Sequence, residues 1–565
     1  MSARTASVRR RASARRLAFV LPGLVALAGA LPGEALAHAV LQHTTPHQNS
    51  AVSSAPSSVR LDFNEPVEVS FGAVRVYDDQ GRRVDSGKVG YPEGALSSVT
   101  VGVRRGLGRG VYTTTYRVVS ADGHPVSGGF AFGVGEHVSA RRGTPQVADL
   151  LERSAASATV EGAYGTARGL HYAALLLLVG AVFFRLLAWP AGNSTGWPGR
   201  VLLGAAIVGL LAALAGIALQ GALGAGVTVR HALDSPVLQG SLDTRSGHTW
   251  LLRSAAWAFI VVFLALYRSA RSRWETAGLA LPVVLLVGTL PYAGHADTQS
   301  PRTLLIGADV LHVLAAGAWL GGLTLLLVCF WPRRQEDIDD AAAEATSRFS
   351  RLALPAIVVL VAAGSAQAWF YLGSAGAFFD STYGWALVAK IALLSIVVAL
   401  AAANRRRTSD LTAGEIQTGP RLRRAMRAEV AFAVLVLAAT ATLVRAAPPA
   451  TIDDGPVVRE LDLGPLRLQL DIEPAVVGPN DYHLYLFDRR TGAQIDRVEQ
   501  LTVRLVQRDK GIGPITLDVP RKGPAHYELR NSTLGVRGAW NATIVARVSD
   551  FDEYSAKTEF EVRRK

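Results

Sequence analysis

Two kinds of hydrophobic pattern divide the chain. Residues 38 to about 140 and 451–565 contain short runs in which apolar and polar side chains alternate, separated by Gly, Pro, Asn and Asp. The residues between them form a series of long apolar segments. Alternation with a period of two predicts half-buried β-strands, whereas about 18 or more consecutive apolar residues predict a membrane-spanning helix. We therefore expect a mixed fold with an N-terminal β-sandwich, a transmembrane α-bundle and a C-terminal β-sandwich-like domain.

Eight apolar segments are long enough to cross a bilayer. They lie near 164–187, 201–226, 249–267, 276–294, 303–331, 352–373, 384–403 and 429–446. The sequence thus predicts an eight-helix membrane domain over 164–447, joined to the first β domain by a linker at 141–163.

The first 37 residues have the pattern of an export signal. Arginines precede an apolar stretch from Leu17 to Leu31, and Ala35-Leu36-Ala37 forms a small-x-small cleavage site. The alternative is a first transmembrane helix, although the stretch is short and ends in Pro32-Gly33. Cleavage after Ala37 makes His38 the N-terminal residue and leaves the 38–140 domain outside the membrane.

The distribution of arginine predicts the orientation of the membrane domain. Sixteen arginines follow the first, third, fifth and seventh segments, whereas the opposite loops contain Arg230, Arg245 and Arg302 alone. The positive-inside rule places the arginine-rich loops in the cytoplasm. Both terminal β domains are then extracytoplasmic, in agreement with the export signal.

Composition and charge limit the possible partners and metal ligands of the chain. The mean hydropathy is +0.25 and the formal net charge is +13. The charge belongs largely to the signal and the predicted cytoplasmic loops, so nucleic acid is not expected as a partner. A single cysteine and two methionines exclude an internal disulfide framework and a Met-rich site for soft metals. Twelve histidines remain as the main metal ligands, and none falls in a predicted cytoplasmic loop.

The N-terminal domain contains a candidate Cu(II) site. Cleavage would free the α-amine of His38, which can chelate a metal together with its own ring. Asp122 and His124 lie two residues apart in Asp122-Gly123-His124-Pro125, and an extended segment presents both on one side. The resulting nitrogen and oxygen ligands suit tetragonal Cu(II).

The membrane domain contains a second set of candidate ligands. His295 ends the fourth segment, Asp309 and His312 share one helix face in the fifth, and His171 lies in the outer part of the first. Ionisable residues inside a membrane are costly and are functional candidates by default. From the residues alone, they are expected to be ligands of a transition metal or a haem.

The N-terminal domain resembles the CopC family of exported copper-binding proteins. The matching residues are His38-Ala39-Val40-Leu41, Pro46, Leu61 to Val67 and Tyr116 to Gly133. The resemblance implies a β-sandwich that holds Cu(II) through His38, Asp122 and His124. His43 and His47 are not part of this pattern and are expected to be solvated surface residues, with an auxiliary metal site as the alternative. His483 and His526 are expected to be isolated structural or surface residues.

The membrane domain resembles the CopD family. The matching residues are Gly294-His295-Ala296, Asp309-x-x-His312, Trp319-Leu-Gly-Gly322, Arg348-Phe349-Ser350, Tyr383-Gly384, Lys390, Asn404-Arg405 and Glu429. Together the two resemblances indicate a CopC–CopD fusion in a bacterial plasma membrane, a type associated with copper uptake or resistance.

The leading hypothesis is a non-enzymatic protein that captures Cu(II) outside the membrane and passes it to the membrane histidines for uptake. No GxxxxGK[ST] motif for ATP use is present. The alternatives are a haem- or copper-dependent redox protein at the outer face and a sequestration protein in the periplasmic space. A copper chaperone or a second copy of the chain as partner stays open, as does the role of the C-terminal domain.

Overall fold

The structure is a computed structural model with two compact units, one formed by residues 156–450 and the other by residues 37–155 together with 451–565. It describes residues 39–69, 73–121, 123, 125–135, 138, 146–147, 149–151, 158–189, 198–266, 273–294, 296–297, 299–330, 340–372, 377–412, 427–432, 435–440, 443, 456–491, 495, 498–523 and 525–563. The predicted signal peptide lies outside these residues. The unit that contains both β domains is called the β unit below, and the other is called the helical unit.

The N-terminal part of the β unit is a sandwich of two sheets. One sheet has the order β1-β3-β7-β6 and the other β2-β9-β8-β4, with β5 also paired to β8. The strands are β1 (Leu41–Thr45), β2 (Ala51–Val52), β3 (Ser58–Phe63), β4 (Val67–Glu68), β5 (Val74–Tyr77), β6 (Asp85–Gly90), β7 (Ser98–Val103), β8 (Gly110–Ser120) and β9 (Pro125–Val134). Alternate residues of β3, Val59, Leu61 and Phe63, enter a core shared with the second sheet. This confirms the β-sandwich predicted for this domain.

Asp85 is fully buried at the edge of this sandwich and hydrogen-bonds to neighbouring backbone groups. Its carboxylate accepts hydrogen bonds from the backbone N–H of Val76 at 3.1 Å and of Gly87 at 2.8 Å, and pairs with the Arg83 guanidinium at 2.8 Å. Burial alone would raise the pKa of Asp85, but these donors outweigh it and hold the pKa below its usual value. The carboxylate therefore stabilises the fold in its ionised form.

Asp85→Ala is expected to destabilise the N-terminal sandwich by about 1–3 kcal/mol, because two backbone N–H groups lose their acceptor. Since the folded-state pKa lies below the unfolded one, this contribution is present above about pH 4 and disappears as the pH falls through the folded-state value. Hydrogen exchange of β5 and β6 in the full chain measures the loss. Asp79→Ala, at an exposed position of the adjacent turn, is the control; equal protection in the two variants would contradict the assignment.

The C-terminal part of the β unit also has two sheets around one core. Their orders are β10-β11-β12-β16-β15 and β14-β13-β17-β18. The strands are β10 (Val457–Leu463), β11 (Leu466–Glu473), β12 (Gly478–Asp488), β13 (Gln500–Gln507), β14 (Ile512–Asp518), β15 (Arg521–Gly523), β16 (His526–Leu534), β17 (Gly538–Arg547) and β18 (Glu553–Val562). The β-rich C-terminal domain predicted from alternation is thus present.

One sheet of this domain is buried on both faces. On β11, Leu468, Leu470 and Ile472 point into the core, as their alternation predicts. The opposite face carries polar side chains that are nevertheless buried: Gln469, Asp471, Glu473, His483, Tyr485, His526 and Glu528. Contacts from the N-terminal sandwich, such as the hydrogen bonds of His43 and His47 to Glu473, cover this face.

The helical unit consists of packed apolar helices. They are α1 (Ala158–Phe183), α2 (Gly199–Ala225), α3 (Ser235–Leu242), α4 (Arg245–Leu266), α5 (Arg273–Gly288), α6 (Arg302–Ala316), α7 (Gly322–Phe330), α8 (Asp340–Leu372), α9 (Ala377–Asp380) and α10 (Thr382–Thr412). A π-helical turn, Gly317–Gly321, joins α6 to α7, and another, Phe184–Ala188, extends α1. Leu175, Leu178, Trp257 and Leu286 lie at the centre of the core.

Six helices in the described part of the chain are long and apolar enough to cross a membrane. They are Ala158–Ala188, Gly199–Ala225, Arg245–Leu266, Arg302–Val328, Glu344–Leu372 and Tyr383–Ala403. The fourth predicted segment, 276–294, corresponds to a shorter apolar helix, Trp274–Gly288, because the chain leaves the α-helix ahead of Pro291. The eighth, 429–446, lies partly outside the described residues, so the eight-helix count stays a prediction.

Glycines bring α1 and the π turn into backbone contact. A Cβ on Gly180 would overlap the backbone of Gly321, and a Cβ on Gly321 would overlap the carbonyl oxygen of Leu176. Small residues at both sides of such a crossing let two membrane helices approach closely. Within the motif Trp319-Leu-Gly-Gly322, the steric role of Gly321 is thus to permit this crossing.

Candidate metal sites

The predicted Cu(II) ligands of the N-terminal domain flank described strands. His38 precedes β1, and Asp122 and His124 lie between β8 and β9, but all three are outside the described residues. Gly123 is described and has a φ of 87°, a left-handed conformation that glycine adopts at little cost. The capture site itself stays a prediction.

In the described part of the chain, His312 is hydrogen-bonded through one ring nitrogen. Its Nδ1 lies 3.0 Å from the carbonyl oxygen of Leu360 on α8, so Nδ1–H donates and Nε2 carries the lone pair. The neighbouring Gly364 permits this approach, because a Cβ there would lie 3.0 Å from the His312 ring. An imidazole fixed through one nitrogen and open at the other is the usual arrangement of a metal-binding histidine.

Asp309 lies one turn before His312 on α6 and contacts α8 as well. Its Oδ1 accepts a hydrogen bond of 3.1 Å from Gln367 Nε2. The two predicted ligands of the fifth segment are therefore both held by α8. His295 falls outside the described residues.

His171 is fully buried in a different environment. Its Nδ1 accepts a hydrogen bond of 3.0 Å from Trp257 Nε1, and its ring also packs against Trp250. Nearby, Arg253 donates to Thr289 at 2.9 Å and stacks over Trp250, so this arginine is paired inside the bundle. In the described part of the chain, His171, Asp309 and His312 do not form a group whose ligand atoms all lie within 4.8 Å of one another. The four-residue membrane site stays a prediction.

A histidine group in the β unit brings His43 and His47, for which an auxiliary site was the alternative, to Glu473 and His483, which the sequence did not connect with them. The possible ligand atoms of His43, His47, Glu473 and His483 all lie within 4.8 Å of one another, and we call these four residues the interdomain histidine group. His43 Nδ1 and His47 Nε2 each lie 3.0 Å from one oxygen of Glu473. The rings of His47 and His483 stack with their centroids 4.0 Å apart.

The expectation that His43 and His47 are solvated is wrong for His47, which is 6% exposed, and His43 is only partly exposed. His483 and His526 are not isolated either, because His483 Nδ1 lies 3.1 Å from His526 Nε2. The physical reason is tertiary: His483 and His526 lie on the polar face of a C-terminal sheet, and His43 and His47 of the N-terminal domain cover that face. The alternation of Gln469, Asp471 and Glu473 indicated a polar face but not its cover.

Charge and burial shift the pKa values of His47 and Glu473 in opposite directions. Burial lowers the pKa of His47, but its hydrogen bond and attraction to Glu473 outweigh that effect, and the net pKa is raised. Burial would raise the pKa of Glu473, but hydrogen bonds from His43 and His47 bring it below the usual value. Burial lowers the pKa of His526 to about 3 and that of His483 further still. His483 and His526 are therefore neutral imidazoles, the form that binds metals.

The helical unit contains a partly buried histidine anchored through one ring nitrogen, and the β unit contains a histidine–carboxylate group. Both features are typical of metal-binding proteins. The families that match this chain are copper-related. The CopC domain matches residues 41–135, the N-terminal domain of copper resistance protein D-like proteins matches 159–303, and copper resistance protein D matches 343–443.

The chain is also similar to individual proteins. The chain is 28% identical over 538 residues to copper transport protein CutJ of Bacillus subtilis (strain 168), which covers 93% of this chain and 95% of that protein. It is 31% identical over 296 residues to copper resistance protein D of Pseudomonas syringae pv. tomato, covering 48% of this chain and 92% of the relative. The solved structure of CopC from Methylosinus trichosporium OB3b is 27% identical, with a TM-score of 0.15, and covers 17% of this chain and 93% of that one.

The chain therefore belongs to the copper resistance proteins that fuse a CopC domain to a CopD membrane domain. The resemblance stated from sequence is confirmed, as is a copper-related function in a multi-pass membrane protein.

Proposed function

We propose that this protein captures Cu(II) outside the membrane with its N-terminal sandwich and mediates copper uptake through its helical unit. The observation that carries the proposal is His312, a membrane imidazole anchored at Nδ1 by the Leu360 carbonyl while Nε2 stays available to a ligand. The relative named as a copper transport protein matches almost the whole chain, which supports transport rather than simple sequestration.

In this proposal, Cu(II) is held by the amine and ring of His38 together with Asp122 and His124, as the resemblance implies. The metal then passes to His295, Asp309 and His312, with His171 as a further ligand. With eight crossings, the arginine distribution supports an orientation with both β domains outside, since the loops assigned to the cytoplasm carry sixteen arginines and the others three.

Copper uptake into proteoliposomes that contain the purified full chain tests this proposal. We expect copper, supplied outside with its oxidation state controlled, to enter vesicles with the parent protein. Entry should fall at limiting copper in the double variant Asp122→Ala/His124→Ala, because the capture site then lacks its ligands. No entry above that of empty vesicles would overturn uptake, and a haem spectrum in the purified protein would favour the redox alternative instead.

The capture site can be tested by a single added residue. An alanine inserted before His38 moves the free α-amine away from the imidazole, so the chelate of amine and ring is lost. We expect Cu(II) affinity at this site to fall sharply, measured by competitive chelator titration with the metal in its oxidised form. An alanine inserted between Gly106 and Leu107, in the β7–β8 connection, is the control; unchanged affinity in the first variant would contradict the role of the terminus.

A further inference from the structure

We propose that the interdomain histidine group is a second Cu(II) site, separate from the capture site and shared by the two β domains. His43 and His47 come from the N-terminal sandwich, whereas Glu473 and His483 come from adjacent strands of the C-terminal sheet, β11 and β12. Three imidazoles and one carboxylate form a nitrogen and oxygen ligand set of the borderline kind that Cu(II) and Zn(II) favour, and the affinity order favours copper.

The ligand atoms are oriented before any metal binds. His47 Nδ1 lies 3.0 Å from the carbonyl oxygen of Gln48, so Nδ1–H donates there and Nε2 is directed at Glu473. Tyr485 Oη also contacts His47 Nδ1. Hydrogen bonds of this kind on the non-ligating nitrogen fix the ring and the tautomer of metal-binding histidines.

Glu473 holds the group together in the absence of a metal. Its two oxygens each contact a different imidazole at 3.0 Å, and its side chain is 7% exposed. A divalent ion placed between these atoms would replace the protons that the Glu473 carboxylate shares with the imidazoles of His43 and His47. The three side chains would then contact the ion from the positions in which they now contact each other.

His483 supplies an independent sign of an incomplete site. Its Nε2 is buried and, among the described residues, has no hydrogen-bond partner, although Nδ1 is bonded to His526. A buried polar atom without a partner costs about 1–3 kcal/mol. His483 Nε2 is therefore suited to coordinate a metal ion that the four residues bind together.

A second layer surrounds His483. The ring of His526 stacks on it with an interplanar angle of 17°, and His483, His526 and Glu528 form a further group of close ligand atoms. Glu528 is paired with the Arg530 guanidinium, so its charge is already engaged. We therefore assign His526 and Glu528 to positioning His483 rather than to the metal.

The site gives the C-terminal domain a role. A metal ion bound to His43 and His483 would connect the two β domains through its coordination bonds. The choice of copper over other divalent ions rests on the proposed function, whereas the site itself rests on the geometry of the group.

Metal titration of the purified full chain tests the site. The double variant Asp122→Ala/His124→Ala serves as the background, so that copper at the capture site does not contribute. In this background we expect His43→Gln, Glu473→Gln and His483→Asn each to lower bound Cu(II) by one equivalent or to weaken it by about 10-fold or more. Electron paramagnetic resonance should show the loss of a signal with several nitrogen ligands.

Two controls keep the result interpretable. Glu473→Gln keeps the shape of the side chain, and His43 is partly exposed, so a retained cooperative unfolding transition in these metal-free variants separates metal loss from misfolding. His231→Gln removes a solvent-exposed histidine, paired with Asp234, and should leave copper content unchanged. Equal copper content and identical spectra in background and group variants, or retention of Zn(II) with no Cu(II), would overturn the proposal. If the group binds Cu(II) while proteoliposomes import none, the uptake proposal fails and this site stands.

Discussion

Gly321→Val should prevent the helical unit from assembling. The new Cβ would overlap the carbonyl oxygen of Leu176 and lie 2.9 Å from the Cα of Gly180, so both obstacles are backbone atoms of α1. Overpacking a core by side-chain atoms costs about 1–3 kcal/mol, and a clash with backbone exceeds the upper end because no rotamer change relieves it. The helices would have to separate, which would remove the packing that places α6 beside α1.

The measurement is the fraction of purified protein that remains monodisperse and shows a cooperative thermal transition in detergent. Gly307→Val is a matched control on α6, the helix that leads into the π turn, because Gly307 is exposed and a Cβ there meets nothing within 4 Å. We expect the control to behave as the parent and Gly321→Val to aggregate or unfold at a much lower temperature. Equal behaviour of the two variants would show that α1 and the π turn do not cross closely.

His312→Ala should reduce copper accumulation to the level of cells without the protein. The substitution removes Nε2, the ligand atom that the Leu360 contact leaves available. The outer domains should keep their copper, since the substituted residue belongs to the helical unit. Normal accumulation at equal protein levels in the membrane would overturn the assignment of His312.

Two further variants refine that result. Gly364→Ala introduces a Cβ 3.0 Å from the His312 ring, so the imidazole must shift without being lost, and we expect an intermediate effect on copper accumulation. His248→Ala removes an exposed histidine outside the candidate sites and should accumulate copper as the parent does. A graded order from His248→Ala through Gly364→Ala to His312→Ala would indicate that the position of the ring matters, beyond its presence.

The hydrophobic pattern predicted strands and helices correctly where a single property, alternation or apolar length, determines them. Alternation placed Leu468, Leu470 and Ile472 on the core face of β11, and apolar length predicted the six long helices. The fourth predicted membrane segment extends beyond its helix, because mean hydropathy contains no information on the separate 3-10 turn that starts at Pro291. Length and hydropathy measure suitability for a bilayer, not where hydrogen bonding stops.

The candidate sites were predicted with unequal success for a different reason. Asp309 and His312 share a helix face, so their spacing alone placed them together, whereas their contacts with α8 depend on packing. His43 and Glu473 are 430 residues apart. The hydrophobic pattern of β1 or β11 does not show that the N-terminal domain covers the polar face of the C-terminal sheet. The interdomain histidine group could therefore be found only in the tertiary structure.

The pairing of His43 with Glu473 has a consequence for the path of the chain. Both β domains belong to one compact unit, and the membrane helices lie between them in sequence. Two segments that share a hydrogen-bonded face must occupy the same aqueous compartment, so the chain between them crosses the bilayer an even number of times. Six crossings satisfy that parity, and if the shorter helix Trp274–Gly288 also crosses, it must be matched by one more crossing. A fusion of topology reporters to residues 151 and 456 would therefore report the same side for both.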